Sequence, residues 1–202
     1  VYPSSLKILD ASGSSLQTFL PDSVPTTLEE VDLSSTPVGE DEDNFPAPAN
    51  SNNIKKLFLN DFNYIPDFSQ FNSLEVLSIH PEGYPFINDS PFAPSELSAI
   101  SDTISSVSIT GASLSSASSL SGKSNLTYIN LSGNNLTSFN PSSNQLVSVN
   151  LSNNNLDSVE WLSDSSDTIT FIDVSGNQLS DFPATSVDDF PSLSTLKISD
   201  NN

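Results

Sequence analysis

Apolar residues recur along this chain at a fixed spacing that is clearest in its second half. From Leu126 the sequence reads LxxLxLxxNxL, with Ile129, Leu131, Asn134 and Leu136 at the later marked positions. The central x-L-x-L-x segment alternates with period two, so its apolar side chains lie on one face and the intervening residues on the other. Each copy of the pattern therefore predicts one short β-strand with a single buried face.

The same frame occurs nine times. Its first apolar positions are Leu6, Leu28, Ile54, Leu74, Ile104, Leu126, Leu146, Ile169 and Leu193. Successive copies start 22, 26, 20, 30, 22, 20, 23 and 24 residues apart. Nine strands stacked in parallel at about 4.8 Å would form a sheet roughly 40 Å long. Because few residues remain to return the chain to the next strand, we expect extended segments and tight turns there instead of full α-helices.

This pattern resembles the leucine-rich-repeat family over the whole chain. The resemblance implies an α/β horseshoe, a solenoid with a parallel concave β-sheet of about nine short strands and a mostly irregular convex side with little helix. It also implies a buried asparagine at the ninth position that satisfies main-chain groups along the solenoid. The last four copies carry Asn134, Asn154, Asn177 and Asn201 there. The five earlier copies carry Ser14, Thr36, Phe62, Glu82 and Ala112, so we expect less regular turns in the N-terminal half.

Two copies are lengthened by segments rich in proline and turn residues, which begin at Gly39 and Pro85. Both segments predict loops on the convex side. The serine-rich stretch 113–124 keeps the apolar spacing of a repeat, so we expect a repeat return there and not a linker. Neither end of the chain has the polar covering repeat that a solenoid needs. We therefore expect one leucine-rich-repeat domain, 1–202, that is a fragment of a longer solenoid or receptor.

Charge narrows the range of partners. The chain has 25 acidic residues and 5 basic ones, all lysine, for a net charge of -20 at pH 7. Such a field repels nucleic acid and anionic lipid and favours a basic partner, although it is also a common route to solubility. No apolar run approaches the roughly 20 residues that span a bilayer, so we expect no direct membrane contact from this segment. The absence of cysteine excludes disulfides and thiolate metal sites.

No set of residues has the pattern of a catalytic site. The only histidine, His80, is expected to be an exposed surface residue and not part of a nucleophilic triad. Asp10, Asp32 and Asp173 occupy equivalent strand positions and are expected to project into solvent, where nothing separates their pKa values as glycoside hydrolysis requires. The acidic run 40–43 lacks the spacing of a calcium loop. We therefore expect a non-catalytic chain without a cofactor or metal site.

Recognition is expected on the outward-facing side of the strands, at the third, fifth and seventh positions of each copy. These positions are most chemically mixed in the third and fourth copies, and two aromatic residues interrupt the Ser/Asn-rich strands of the later copies. The candidate ligand-binding residues are Lys56, Phe58, Asn60, Val76, His80, Tyr128 and Phe171. Exposed aromatic side chains are typical binding anchors but also ordinary surface residues, so both interpretations stay open.

Five N-x-S/T sequons permit N-glycosylation. They lie at Asn88, Asn125, Asn130, Asn135 and Asn150. About as many would arise by chance in a chain this rich in Asn, Ser and Thr, so they allow an extracellular location without requiring it. Asn130 and Asn150 lie between strand leucines and would carry a glycan on the concave face. We expect Asn88, in its loop, to be the favoured acceptor.

The Ser/Asn-rich copies, their irregular spacing and the absence of arginine and cysteine are similar to ectodomains of leucine-rich-repeat receptor kinases, in particular protist ones such as those of oomycetes. This resemblance implies a module that recognises a peptide or protein ligand, in the extracellular part of a cell-surface receptor whose kinase lies elsewhere in the polypeptide. Two alternatives stay open, a secreted recognition or inhibitor protein and an intracellular protein-interaction scaffold. The sequence leaves the oligomeric state undetermined.

Overall fold

The computed structural model describes residues 2–19, 24–40, 51–62, 68–81, 100–143, 145–165, 167–182 and 189–202. In these residues nine short strands form one parallel sheet, and every strand pairs with the strands of the adjacent copies. The strands are β1 (Ile8–Asp10), β2 (Glu30–Asp32), β3 (Lys56–Phe58), β4 (Val76–Ile79), β5 (Ser106–Ile109), β6 (Tyr128–Asn130), β7 (Ser148–Asn150), β8 (Phe171–Asp173) and β9 (Thr195–Lys197). The predicted solenoid with one strand per repeat is confirmed.

The strands pair in the same register along the whole sheet. Ile129 of β6 lies opposite Val149 of β7, which lies opposite Ile172 of β8, and the other pairs follow the same rule. Equivalent positions of successive repeats therefore form straight rows that run across the strands. We number each row by its position in the repeat, counted from the first apolar residue.

Rows one, four, six and eleven form the core. In the sixth repeat these are Leu126, Ile129, Leu131 and Leu136, all with 0% exposure. They belong to one continuous hydrophobic cluster that extends through all the repeats. Full burial of each such aliphatic side chain stabilises the fold by about 1.5–3 kcal/mol, so the many thin layers together replace the single large core of a globular domain.

The segments that return the chain to the next strand contain short 3-10 helices. Those in the described residues are Pro37–Glu40, Ser51–Asn53, Phe68–Gln70, Ser118–Leu120 and Glu160–Ser165. The described residues contain no α-helix, in agreement with the short return lengths. Most of the inserted segments that begin at Gly39 and Pro85 lie outside the described residues, and so does Glu82.

An apolar position of the return segments adds a further layer to the core. Phe19, Ala117, Phe139 and Val159 are all at most 6% exposed. Ala117 and Leu120 are buried within the serine-rich stretch, which confirms that this stretch is part of a repeat. Trp161 packs edge-to-face against Phe139 with 5.3 Å between ring centroids, which joins the returns of the sixth and seventh repeats.

The asparagines of row nine connect adjacent repeats, as the resemblance implied. Asn154 donates through Nδ2 to the carbonyls of Leu131 and Leu151, and its Oδ1 accepts from the N–H of Leu136. Asn134, Asn177 and Asn201 make the equivalent bonds.

The earlier repeats fill row nine differently. Thr36 donates only to the carbonyl of Leu33 in its own repeat, at 2.7 Å, and Phe62 and Ala112 fill the position with buried apolar groups. The hydrogen bonds by which row-nine asparagines link one repeat to the next are therefore confined to the C-terminal half and its boundary with the fifth repeat.

Row eight turns the chain out of each strand through the left-handed region of backbone conformation. The residues with φ between 55° and 69° there are Gly13, Ser35, Asp61, Gly111, Gly133, Asn153, Gly176 and Asp200. The expectation of irregular turns in the N-terminal half is therefore wrong for row eight of its first, second, third and fifth repeats. A residue that accepts positive φ is sufficient for this turn, whether or not row nine holds asparagine. The fourth repeat differs because the ring of Pro81 fixes φ at a negative value.

Candidate functional site

Rows three, five and seven face away from the core on the open side of the sheet, and we call them together the concave face. All seven candidate binding residues lie on it, in two separate groups. The first group occupies the third and fourth repeats, and the second consists of Tyr128 in the sixth repeat and Phe171 in the eighth. Strand β5 lies between the two groups, and β7 lies between Tyr128 and Phe171 within the second group.

Most polar side chains of the first group bond to protein neighbours. Lys56 Nζ lies 2.9 Å from Glu30 Oε2, and the Asn60 side-chain oxygen accepts from the Ser78 hydroxyl at 3.2 Å. His80 Nδ1 is hydrogen-bonded to the Thr110 hydroxyl. Each of these contacts links one repeat to the next. A ligand at the first group would have to compete with them.

His80 is exposed, as expected from the sequence. No carboxylate of the described residues forms an ion pair with its ring, so the histidine and threonine lack the third member that would orient a catalytic base. The described part of the chain also contains no group of three or more His, Asp or Glu side chains arranged to hold a metal ion.

Each of the five lysines lies next to a carboxylate. The pairs are Lys7 and Lys55 with Glu29, Lys56 with Glu30, Lys123 with Asp102, and Lys197 with Asp173. The concave face carries only four carboxylates and two ammonium groups. Most of the net charge of -20 therefore lies on other parts of the chain.

The second group combines aromatic and small residues in row three. Tyr128 of β6, Ser148 of β7 and Phe171 of β8 follow one another in register. Tyr128 is 40% exposed, and Val147, which precedes Ser148, is 41% exposed. Lys197 Nζ lies over the Phe171 ring, 5.4 Å from its centroid. An apolar patch thus lies on otherwise hydroxyl-rich strands.

Row five contains side chains that are held by the following turn. Asn130 Oδ1 accepts from the N–H and hydroxyl of Ser132 at 3.2 and 2.9 Å. Asn150 Oδ1 accepts in the same way from Ser152 at 3.0 and 2.8 Å. Neither Nδ2 atom has a hydrogen-bond acceptor among the described residues. Both amide groups are therefore oriented with two donors available to a ligand.

The aspartates of row five make the same turn. Ser12 donates to Asp10 through its hydroxyl and its N–H, and these bonds lower the pKa of Asp10 from its ordinary value. The expectation that Asp173 projects into solvent is wrong, since it is 7% exposed. The Ser175 hydroxyl donates to it at 2.6 Å, and Lys197 Nζ lies 3.4 Å away. Its carboxylate is held by these contacts and orients the turn.

The structure distinguishes the sequons by their surroundings. Asn130 and Asn150 are half-buried on the concave face, while Asn125 and Asn135 are exposed. Asn125 Nδ2 donates to the carbonyl of Asp102 at 3.2 Å. Asn88 lies outside the described residues.

Sequence reasoning missed Val147, Ser148 and Lys197, which complete the second group. Val147 could have been found, because it is the only apolar residue in row two, where the other repeats have Lys, Glu, Ser or Thr. The position of Lys197 over an aromatic ring in the preceding repeat has no signal in the repeat frame.

The family model "Leucine Rich Repeat" matches residues 125–144, which contain the start of the sixth repeat. No curated protein sequence matches the chain. Among solved structures, an internalin from Listeria monocytogenes is 18% identical with a TM-score of 0.60, and the alignment covers 98% of this chain and 68% of the internalin. The plant peptide hormone receptor RGFR1, solved in complex with RGF2, is 16% identical with a TM-score of 0.66, and the alignment covers 97% of this chain.

YopM from Yersinia enterocolitica is 19% identical with a TM-score of 0.59, over 100% of this chain and 39% of YopM. This chain spans 32% of the plant receptor's length. Identities this low establish similarity of fold. No helix in the described residues is long and apolar enough to cross a bilayer. The repeat sequence, the nine-stranded parallel sheet and the hydrogen bonds of the row-nine asparagines together show that the chain has the fold of a leucine-rich-repeat solenoid.

Proposed function

We propose that this chain is the ligand-recognition module of a cell-surface receptor, located outside the cell, and that it binds a peptide or protein on its concave face. The observation that carries the proposal is the separation of roles between rows. Rows one, four, six and eleven build the core, whereas most side chains of rows three, five and seven face away from it and are at least partly exposed.

Similarity to the plant receptor supports this function. That protein is a peptide hormone receptor solved with its peptide RGF2, and nearly the whole of the present chain superimposes on a part of it. We extend the comparison to the full-length protein and propose that a kinase lies elsewhere in the same polypeptide. The present chain is the non-catalytic, ligand-binding part.

The complete transcript tests the receptor assignment. We expect an N-terminal export signal, a run of about 20 apolar residues after the repeats and a kinase-like region beyond it. A transcript with neither signal nor apolar run would contradict the receptor assignment and favour an intracellular scaffold.

A binding selection tests recognition directly. Peptides from a displayed random dodecapeptide library are selected on the immobilised chain, and their affinities are measured for Phe58→Ala and Tyr128→Ala, one aromatic from each group. We expect at least one of these variants to weaken the selected peptides tenfold or more without lowering the melting temperature. Unchanged affinity for both variants would contradict binding at the candidate groups.

A further inference from the structure

The aromatic side chains of Tyr128 and Phe171 lie on either side of Ser148 in row three. One strand separates β6 from β8, so the two residues are about 9.6 Å apart at the usual spacing of neighbouring strands. Side chains stand roughly perpendicular to a sheet, and serine is too short to fill the space between two aromatic residues. Row three therefore contains a gap bounded by Tyr128 and Phe171.

The walls of this gap are apolar. Lys197 Nζ lies 5.4 Å from the centroid of the Phe171 ring, and Lys197 belongs to β9, on the opposite side of β8 from Ser148. Val147, the residue before Ser148 in the chain, has a 41% exposed aliphatic side chain. Large apolar surfaces that remain exposed on a folded chain are the usual sites of contact with another molecule.

The width of the gap selects the group that fills it. Non-bonded carbon atoms attract best at about 3.5–4.0 Å. Two walls about 9.6 Å apart therefore leave about 2 Å between the outermost carbon centres of an inserted group. This is close to the separation of the two methyl groups of valine or leucine. An aliphatic side chain thus fits between the two aromatic residues.

Hydrogen-bond donors lie beside the gap in row five. The amides of Asn130 and Asn150 are fixed through Oδ1 by the serines that follow them, and their Nδ2 groups remain to donate. Main-chain carbonyl oxygens of a ligand are suitable acceptors. Because these two amides are already ordered in the free protein, little side-chain entropy is lost when they bind.

The absence of charged side chains from this part of the concave face disfavours charged ligand groups. Rows three, five and seven of the fifth, sixth and seventh repeats contain only Ser, Thr, Asn and Tyr. A charged ligand group buried there would lose its hydration without gaining an opposite charge. The segment that lies on these repeats is therefore uncharged, even though the whole chain has a net charge of -20.

We infer that the sixth and seventh repeats, together with Phe171 of the eighth, bind an uncharged, extended segment of a peptide or protein. A valine or leucine side chain of this segment inserts between Tyr128 and Phe171, and its main-chain carbonyls accept hydrogen bonds from Asn130 and Asn150. This inference rests on the proposed recognition function and specifies the ligand chemistry of one part of the concave face.

The experiment uses the dodecapeptides selected on the wild-type chain. Their affinities are measured by isothermal titration calorimetry for Tyr128→Ala, Phe171→Ala and Ser148→Leu. The first two variants remove a wall of the gap, and the third fills it. The matched control is Ile8→Ala, which truncates an exposed apolar residue in row three of the first repeat, outside the gap and outside the candidate binding residues.

We expect the selected peptides to share a valine or leucine in a stretch without Lys, Arg, Asp or Glu. Each of the three gap variants should weaken binding at least tenfold, while Ile8→Ala changes it less than twofold. Alanine in place of the shared valine or leucine should have the same effect as the gap variants. Circular dichroism melting checks that each variant is folded. If an aromatic variant does not fold, Ser148→Leu still tests the inference.

The other outcomes separate the inference from the function on which it rests. Peptides that are sensitive to Phe58→Ala but not to the gap variants would overturn the inference and leave recognition by the concave face intact. Selected peptides that depend on a charged residue would also overturn it. Peptides insensitive to the three gap variants and to Phe58→Ala would contradict both proposals.

Discussion

Asn154 in the seventh repeat accepts a hydrogen bond from the main-chain N–H of Leu136 in the sixth, with 3.0 Å between Oδ1 and the nitrogen. The same side chain donates to the carbonyls of Leu131 and Leu151 at 2.9 and 3.0 Å. One amide thus satisfies main-chain groups of two repeats. Asn154 is only 7% exposed, so water has little access to replace it.

Replacement of this amide should strongly destabilise the solenoid. We expect Asn154→Leu to lower the free energy of unfolding by about 2–4 kcal/mol, since each buried main-chain group left without a partner costs about 1–3 kcal/mol. Urea unfolding measures the change. The exposed neighbour provides the control, because Asn155→Ala should change stability by less than about 0.5 kcal/mol. Equal effects of the two variants would disprove the role of Asn154.

Gly176 is required for two separable reasons. Its φ is +66°, and a Cβ atom there would lie 2.6 Å from Asn153 Oδ1. Gly122 has a φ of +78° with no atom within 4 Å of an added Cβ. Gly176→Ala and Gly122→Ala should each lower the free energy of unfolding by about 1–2 kcal/mol, because alanine is strained in the left-handed backbone conformation. Gly176→Ala should lower the free energy of unfolding further, because the new methyl group also displaces the Asn153 side chain.

A double-variant cycle measured by thermal unfolding separates these two effects. In an Asn153→Gly background the additional loss caused by Gly176→Ala should disappear, because the amide that the new methyl group meets is absent. An additional loss that persists in this background would show that the contact with Asn153 does not matter.

Lys123 and Asp102 give the fold a dependence on pH. Lys123 is 9% exposed and donates to the Ile100 carbonyl at 2.8 Å and to Asp102 Oδ1 at 2.6 Å. Its hydrogen bond and positive charge lower the pKa of Asp102 from 3.8. Because the carboxyl has a lower pKa in the folded than in the unfolded state, the ionised form stabilises the fold above the unfolded pKa. This contribution is lost as the pH falls from about 4 through the lowered pKa.

Asp102→Asn tests this linkage. We expect the variant to melt at a lower temperature than the wild type at pH 7 and to lose less stability on acidification below about pH 4. The control is Asp157→Asn, at an exposed aspartate that forms no ion pair with the described residues. Identical pH profiles for the wild type and Asp102→Asn would contradict a stabilising contribution from this pair.

Glycan occupancy should follow side-chain freedom. After secretion from a eukaryotic host, we expect modification of the exposed Asn135 and of Asn88 in its inserted segment. Asn130 and Asn150 should stay unmodified, because they are half-buried and Ser132 and Ser152 hold their amides in strand turns. Peptide mapping measures each site. A glycan on Asn130 would cover the area beside Tyr128 and contradict ligand binding there.

The repeat frame predicts the strands reliably because only one register buries its aliphatic residues. A shift of one residue at Ile129 would expose that side chain and place Asn130 in the core. The role of row nine was implied by the family resemblance, and the structure gives its physical reason, since the buried amides are satisfied by main-chain groups of neighbouring turns.

Contacts between outward-facing residues could not be predicted in the same way. Lys56 pairs with Glu30, a residue 26 positions earlier, and Asp173 is covered by Lys197 from the next repeat. Such pairs depend on which side chains adjacent repeats happen to have in the same or neighbouring rows. The frame fixes the rows but leaves these residues open. The frame places the candidate residues on one face and in two groups, and their role in binding stays a prediction. Their contacts with neighbouring repeats required the structure.

The uniform register lets the concave face change by mutation while the core stays the same. A substitution at Ser148 alters the shape of the concave face without touching the leucines beneath it, so the repeat still folds. In each repeat, therefore, one set of positions determines folding and another set determines ligand preference. New preferences can arise by single substitutions in rows three, five and seven, and selection can act on them without first repairing the scaffold.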